Sequence, residues 1–190
     1  NAGNIHIVEP ELEGIVRKAV SEGKLRATTE PENADVFVIA VPTPIKANKQ
    51  PNLNYVKAAA ELVAPCLRPG NLVILESTSP VGTTRRMASW MAEKRPDLSF
   101  PQDAGEDADI MVAYCPERVL PGKSVHEIVE NDRIVGGMTK SAAACASAFY
   151  SLVVRGSCIE TNTETAEMTK LVENSSRDVQ ITFANELSII

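Results

Sequence analysis

Hydrophobic and polar positions alternate along the chain in two patterns. Short runs rich in apolar residues predict strands at Leu25–Thr28, Val36–Val41, Leu72–Leu75, Ile110–Tyr114, Arg133–Gly136 and Cys158–Glu160. Apolar residues at helical spacing predict helices at Pro10–Glu22, from Asn54 to about Cys66, at Thr83–Lys94, at Lys140–Val153 and from Thr163 to the end of the chain. Strands that alternate with helices predict a parallel α/β sheet.

Local signals add detail at the boundaries of these elements. Asn54 is a candidate N-cap residue, and Thr161 and Glu164 have the spacing of a capping box at the start of the last helix. The polar segment Pro96–Asp107 predicts a loop.

Two of the predicted strands end in loops that carry threonine. Thr43 follows the strand at Val36–Val41, and Thr78 follows Leu72–Leu75. The carboxyl ends of parallel strands meet at one edge of a sheet, where the N-terminus of a following helix presents unpaired backbone N–H groups to an anion. The pattern therefore predicts one ligand crevice at this edge.

The last predicted helix carries polar residues in a row. Lys170, Asn174 and Arg177 stand at positions i, i+4 and i+7, so they line one face, and a second face carries Met168, Leu171, Val172 and Val179. The polar row is either a solvated face or a functional one, and spacing alone leaves both open. Asparagine inside a helix costs a few tenths of a kcal/mol relative to alanine, which slightly favours a functional reason.

Composition limits the possible partners. The formal net charge is −6 and no run of Lys or Arg exceeds two residues, which gives no basis for nucleic-acid binding. The apolar runs are far shorter than the roughly 20 residues of a membrane span. Four cysteines without a C-x-x-C pair, and two distant histidines, disfavour a zinc site and favour free thiols in a reducing cytoplasm.

Five segments in order carry a family resemblance: ADVFVIAVPTP, ILESTSPVGTT, AYCPERVLPG, NDRIVGG and TAEMTKLVENSSRDVQITFANEL. Together they resemble the UDP-glucose/GDP-mannose dehydrogenase family, most closely its UDP-N-acetyl-D-mannosamine dehydrogenase branch. The resemblance implies a partial Rossmann-type NAD-binding domain over residues 1–160. Residues 161–190 would be the start of an all-α central domain. It also implies a homodimer in the intact protein.

The family oxidises the C6 hydroxyl of a nucleotide sugar to a carboxylate in two NAD-dependent steps, through a cysteine thiohemiacetal and a thioester. On the cofactor side, the resemblance implies that Thr43 contacts the nucleotide and that Thr78 lies near the nicotinamide and can hold a water. It implies that the hydroxyl and amide of Thr84 face the cofactor. Thr43 as a turn residue and Thr84 as a helix cap remain alternatives.

On the substrate side, the resemblance implies that Glu117 assists the attack of water on the thioester. Arg118 and Val119 stand where the N-acetylhexosamine branch contacts its substrate. Pro121 replaces a second carboxylate of the UDP-glucose branch, whose pattern is close to PEFLREG. This difference favours UDP-N-acetylmannosamine over UDP-glucose as the substrate.

The resemblance also gives the polar row of the last helix a role. Lys170 and Asn174 match the family's Lys-x-x-x-Asn pair, which stabilises the reacting oxygen and contacts the substrate. Arg177 is an expected contact of the pyrophosphate or the sugar.

Two family segments are absent from the 190 residues: a G-x-G-x-x-G loop and a G-G-H-C segment with the nucleophilic cysteine. Since neither end carries a start or stop signal, we expect a piece of a longer polypeptide that is inactive alone. Cys115, beside Pro116, is expected to be an inert buried thiol.

Three alternatives remain open. The chain could belong to a UDP-glucose-type 6-dehydrogenase, or to a β-hydroxyacid dehydrogenase, which also carries a Lys and an Asn one turn apart. It could also be a non-catalytic module for nucleotide binding or dimerisation.

Overall fold

The structure is a computed structural model that describes residues 12–119 and 124–189. Within these ranges the strands are β1 (Val36–Ile39), β2 (Leu72–Leu75), β3 (Met111–Tyr114), β4 (Arg133–Gly137) and β5 (Cys158–Asn162). The α-helices are α1 (Leu12–Ser21), α2 (Asn54–Val63), α3 (Thr83–Lys94), α4 (Pro101–Ala104), α5 (Ser124–Glu130), α6 (Lys140–Tyr150) and α7 (Thr163–Leu187). Short 3₁₀ turns lie at Ala64–Cys66 and Gly105–Asp107.

The strands form a mixed sheet in the order β1-β2-β3-β4-β5. All neighbouring pairs are parallel except β3 and β4, which are antiparallel, with Tyr114 opposite Gly136. The predicted α/β class is confirmed, and the sheet departs from the predicted parallel arrangement only at this junction.

The connection from β3 to β4 explains the reversal. The Arg118 Nη1 atom donates to the carbonyl of Asp132 at 3.1 Å, and the Asn131 side chain donates to the carbonyl of Arg118 at 3.1 Å. The start and the end of the connection are therefore bonded to each other beside the carboxyl end of β3. Because Arg118 and Asp132 meet at this edge, β4 starts beside the end of β3 and runs in the opposite direction.

The central strand β2 is buried on both faces, as its uninterrupted apolar run predicts. Val73 and Leu75 pack with Met87 and other residues on the side of α2, α3 and α7. Leu72 and Ile74 pack on the opposite side, where α6 supplies Ala146, Tyr150 and neighbouring residues. The sheet thus separates two apolar cores, and α7 lies on the same side as α3.

Most predicted elements are confirmed within a few residues, and α3 has the predicted bounds. The strand at Leu25–Thr28 is wrong: these residues are exposed and belong to no strand of the described sheet. The loop at 96–107 is partly wrong, because Pro101 begins the short helix α4 at a position where its fixed φ suits a helix start. α5 was not predicted. Pro10 and Glu11, at the start of the first predicted helix, lie outside the described residues.

Both predicted helix caps are displaced. Leu53, not Asn54, is the N-cap of α2, and the Asn52 side chain accepts from the Asn54 amide at 3.1 Å. At α7 the N-cap is Asn162, whose side chain accepts from the Thr165 amide at 2.8 Å. The predicted capping box one residue earlier is therefore wrong.

Gly136 allows the start of α7 to lie directly on the sheet. A Cβ atom at this position would come within 2.6 Å of the Asn162 carbonyl oxygen and 2.7 Å of the Ala166 Cβ atom. Both distances are shorter than van der Waals contact, so the position of α7 requires a glycine here.

We predict that Gly136→Ala lowers the free energy of unfolding by about 1–3 kcal/mol, because the new methyl group overpacks this contact. Gly14→Ala is the matched control, since nothing lies within 4 Å of a Cβ at that position of α1. There alanine should stabilise the protein by roughly 0.5–1 kcal/mol. Urea unfolding of both variants tests this, and equal effects of the two changes would contradict it.

Candidate active site

The first half of α7 lies beside the loops that follow β2 and β3 and lines a groove there. The groove has a volume of about 750 Å³, and its lining includes Val81 from the loop after β2, Arg118 from the loop after β3, and Met168, Thr169 and Glu173 from α7. The polar row predicted from spacing lies along this helix. Two of the loops that leave the strands, those after β2 and β3, are bonded to α7.

The loop between β2 and α3 is bonded to a buried carboxylate of α7. Glu167 accepts from the backbone N–H of Gly82 at 2.6 Å and of Thr84 at 2.8 Å, and from the Thr84 hydroxyl at 2.6 Å. Its side chain is fully buried. The amides at the start of α3, which the sequence predicts to be open to an anionic ligand, are thus occupied by the chain's own anion.

This arrangement gives Thr84 bonding partners within the chain. Its hydroxyl and its amide both bond to Glu167, and the residue is fully buried. Thr84 therefore bonds to α7 at the start of α3, as a capping role would require, and its contact with the cofactor stays a prediction.

The other two threonines join the loops after β1 and β2. The Thr43 hydroxyl donates to the carbonyl of Thr78 at 2.6 Å, and the Ser77 hydroxyl donates to the carbonyl of Val41 at 2.6 Å. The two loops are adjacent, as the sequence predicts. The half-buried Thr78 hydroxyl has no hydrogen-bond partner among the described residues and can accept or donate to a ligand at this edge.

The loop after β3 is also bonded to α7. The Lys170 ammonium donates to the backbone carbonyl of Glu117 at 2.6 Å. The Glu117 carboxylate instead accepts a short hydrogen bond from the amide of Val119. Within residues 12–119 and 124–189, the half-buried Asn174 side chain makes no hydrogen bond. The structure thus brings Lys170 to Glu117, but it pairs the amine with the carbonyl and not with the carboxylate.

An ion pair joins the same loop to α7 one turn later. Arg118 donates to Glu173 through Nε and Nη2, the shortest distance being 2.8 Å. These hydrogen bonds lower the pKa of the Glu173 carboxyl below its ordinary value and raise the pKa of Arg118. Arg118 is therefore engaged within the chain. Arg177 lines an adjoining polar cavity of about 410 Å³ together with Arg118 and Asp132.

A second buried cluster supports the sheet edge from the α6 side. Tyr150 donates to Glu76 at 2.7 Å, Arg133 Nη1 lies 3.8 Å from the same carboxylate, and the Arg133 guanidinium lies 5.0 Å from the centre of the Tyr150 ring. Glu76 is the residue that follows β2, so this cluster fixes the exit of the strand that leads to Thr78.

Cys115 lies next to this cluster and is fully buried. Burial, the main cause, raises the pKa of its thiol to about 11. The predicted burial of this thiol is confirmed, and its inertness stays a prediction. None of the four cysteines lines the groove. In the part of the chain that the structure describes, no three His, Cys, Asp or Glu side chains are grouped to hold a metal.

Sequence reasoning missed Glu167, Glu173 and Glu76. For the first two a signal was present: both carboxylates stand three residues from Lys170, and residues three apart share a helix face. A search for every polar residue on the face of Lys170 would have found them. For Glu76 there was no such signal, because its partners come from distant elements.

The fold and the site define a nucleotide-binding α/β domain of the Rossmann type, with its ligand edge at the carboxyl ends of β1 to β3. The profile described as the UDP-glucose/GDP-mannose dehydrogenase family, NAD binding domain, matches residues 1–154. The chain belongs to this family.

Curated relatives and solved structures agree with this assignment. The chain is 62% identical over its whole length to an NDP-N-acetyl-D-galactosaminuronic acid dehydrogenase of Ralstonia nicotianae and 60% identical to a UDP-N-acetyl-D-mannosamine dehydrogenase of Yersinia pestis. It spans 45% of the length of each. The structure of the UDP-D-ManNAc dehydrogenase of Pyrococcus horikoshii matches 97% of the chain at 40% identity, with a TM-score of 0.88; the match covers 43% of that chain.

NAD is the cofactor of this domain family, and part of the edge fits it. The available hydroxyl of Thr78, beside the loop of Thr43, fits a polar group of a bound cofactor. The start of α3 does not fit a cofactor phosphate, because Glu167 occupies its amides. The contacts of Thr43 and Thr78 with NAD remain predictions.

No helix within the described ranges is both long enough and apolar enough to span a membrane.

We predict that iodoacetamide at pH 8 labels Cys115 at least about 100-fold more slowly than Cys66. The thiolate is the reactive form, and a pKa of about 11 reduces its fraction at this pH by roughly two orders of magnitude, even before burial limits access. Cys66 is the control because it is half-buried. Peptide mass spectrometry measures both rates, and equal rates would refute the burial of Cys115.

We predict that the stabilisation by Glu173 is lost in acid. Because its folded-state pKa lies below the unfolded value of about 4.3, the contribution is present above that pH and disappears as the pH falls through the folded value. For a partly exposed pair it should not exceed about 1 kcal/mol.

The measurement for Glu173 is the thermal midpoint of wild type and Glu173→Gln between pH 7 and pH 3. The two should differ at pH 7 and converge at pH 3. Asp178→Asn is the control, since this exposed carboxylate of α7 has no ion pair within the described ranges. A constant gap at all pH values would contradict the prediction.

Proposed function

We propose that the chain is the NAD-binding part of an enzyme that oxidises the C6 hydroxyl of a UDP-N-acetylhexosamine to a carboxylate, with UDP-N-acetyl-D-mannosamine as the substrate and UDP-N-acetyl-D-mannosaminuronate as the product. The observation that carries the proposal is the contact between Lys170 and the Glu117 carbonyl at 2.6 Å, at the edge where Thr78 is available. A fixed cation thus stands at the loop after β3.

Lys170 is well suited to the oxygen chemistry of this reaction. Its ammonium has three N–H donors, and one of them is used on the Glu117 carbonyl. The remaining donors can bind an alcohol oxygen as its proton leaves, or the oxyanion that forms when a thioester is hydrolysed. NAD, when bound, accepts the hydride from C6.

Asn174 follows one turn later on the same face of α7. It can donate to the same reacting oxygen because a residue four positions on lies above the first. Its lack of a partner among the described residues supports this role, since a half-buried amide can pair with a ligand instead. Glu117 is proposed to direct the attacking water, which requires its carboxylate to exchange the Val119 amide for that water.

The thioester route needs a reactive cysteine near Lys170. None of the four cysteines of this chain lies in a G-G-H-C segment, and Cys115 is buried on the other side of the sheet. We therefore propose that another part of the intact protein supplies the thiol, and that this chain alone does not turn over substrate.

The substrate class is supported by the names of the relatives, which refer to N-acetylated mannosamine and galactosaminuronic acid. Arg118 and Val119 are proposed to contact the N-acetylhexosamine, and Arg177 its pyrophosphate. Arg118 would then exchange part of its bonding with Glu173 for the ligand. Turnover of UDP-ManNAc, UDP-GalNAc, UDP-GlcNAc and UDP-glucose, compared side by side, tests the class; preference for UDP-glucose would overturn it.

The intact protein is further proposed to be a cytoplasmic homodimer. The exposed apolar residues of α7, among them Val179 and Phe183, support a covered position for this helix in the intact protein. Light scattering of the intact protein tests the dimer.

We predict that Lys170→Ala in the intact protein lowers the rate of acid formation by about 10²–10⁴-fold, because the donor to the reacting oxygen is lost. Lys94→Ala at the exposed end of α3 is the control and should keep full activity. The measurement is NADH formation at 340 nm, with two NADH expected per UDP-sugar in the wild type. Normal turnover in Lys170→Ala would remove the role assigned to the amine.

Calorimetry separates the remaining alternatives. An NAD-dependent gain in affinity for a UDP-sugar supports the proposal. Binding of a small hydroxyacid in its place would support the hydroxyacid class, and no response to either ligand would support a non-catalytic module.

A further inference from the structure

We propose that Glu167 is a positioning residue whose buried carboxylate holds the loop of Thr78 in register with Lys170. The inference rests on the function proposed above. It concerns a residue that contacts neither Lys170 nor Thr78, and that would act on the reaction through the backbone it binds.

Both oxygens of the Glu167 carboxylate are engaged. The two oxygens of Glu167 accept three hydrogen bonds, from the amide of Gly82 and from the amide and hydroxyl of Thr84, all between 2.6 and 2.8 Å. A buried carboxylate is costly unless it is satisfied in this way. Hydrogen bonds to an ionised acceptor are also about twice as strong as neutral ones.

The contact between Glu167 and Gly82 lies close in sequence to both Lys170 and Thr78. Gly82 lies four residues after Thr78, in the same loop. Lys170 lies three residues after Glu167, about 4.5 Å further along a rigid helix and on the same face. One carboxylate therefore connects the loop expected to meet the cofactor with the amine expected to meet the reacting oxygen.

The surroundings of Glu167 exclude water. Tyr114, at the end of β3, is fully buried, and its hydroxyl has no hydrogen-bond partner among the described residues. Burial, and then the nearby charge of Glu167, raise the pKa of this phenol. Such an environment strengthens the hydrogen bonds of the carboxylate, so the loop has little freedom to shift relative to α7.

Glutamine tests the role because it preserves the size of the side chain. Its amide has one oxygen and one NH₂ group, so one of the two backbone N–H groups at the start of α3 would face a donor. The loop must then move. Since a displacement of about 1 Å at a reacting centre can cost roughly 100-fold in rate, a loss in kcat is expected without loss of the fold.

The control is Glu164→Gln. Glu164 lies one turn before Glu167 on α7 and pairs with Arg85 of α3 at 3.6 Å, so it joins the same two helices. It is half-exposed and does not reach the loop amides. The comparison separates the specific contact of Glu167 from any carboxylate between α7 and α3.

The experiment measures steady-state kinetics and hydrogen exchange on the intact protein, with NAD and UDP-ManNAc. We expect Glu167→Gln to lower kcat at least about 10-fold, with KM for both ligands within about threefold, and to speed exchange over residues 77–87. Glu164→Gln should match the wild type in all of these measurements.

A folded Glu167→Gln protein with wild-type kcat would overturn the inference, even if its exchange were faster, because the residue would then be merely structural. A rise in KM for NAD alone would also overturn it, since that is the result of a lost cofactor contact. If Glu167→Gln does not fold, Thr84→Val decides, because it removes only the hydroxyl bond; its kcat should fall about 3–10-fold, and an unchanged kcat would overturn the inference.

The failure of the proposed function would be seen separately. A wild-type protein that reduces no NAD with any UDP-sugar fails that function before any variant is compared.

Discussion

The reversal of strand direction between β3 and β4 is the constraint on which the site depends. Because β4 runs back from the carboxyl edge and β5 is parallel to it, β5 ends on the side of the sheet where β3 begins. α7 must therefore start there and pass over the sheet toward the opposite edge. Gly136 allows this passage at close range, and the first half of α7 is delivered to the loops that follow β2 and β3.

One face of α7 thus binds the loops that follow β2 and β3. Glu167, Lys170 and Glu173 follow each other at intervals of three residues, and each bonds to a loop that leaves a strand. The loops after β1 and β2 are joined separately through Thr43. Loops usually carry function because a rigid scaffold positions them, and here much of that scaffold is the face of α7.

The sequence predicts the elements of this fold better than their connections. The apolar runs of β2 and β3 and the spacing of α3 identify buried strands and a helix, since burial on known faces leaves a direct periodic signal. The antiparallel junction depends on the hydrogen bond from Arg118 to the carbonyl of Asp132. These residues are 14 positions apart, and such a pairing leaves no periodic signal in the sequence. The failed strand at Leu25–Thr28 shows the same limit, because a strand needs a neighbour as well as a pattern.

For the candidate site too, the sequence predicted some features and missed others. Resemblance and helix spacing brought Lys170 and Asn174 to one face, and the structure agrees. Neither revealed that the Lys170 amine meets the carbonyl of Glu117, or that the amides of Gly82 and Thr84 are already occupied by Glu167. Such details depend on side-chain conformations that are decided by burial in three dimensions, so they leave no mark on a one-dimensional pattern.

The second half of α7 has a practical consequence for work in solution. Val179, Ile181, Phe183 and Leu187 each leave more than half of their surface to water. Val179, Phe183 and Leu187 recur every four residues and share one face, and exposed apolar surface of this kind favours association. A preparation of these 190 residues by themselves will therefore self-associate as it is concentrated. Its measured particle size will depend on the protein concentration and will not give the stoichiometry of the intact protein.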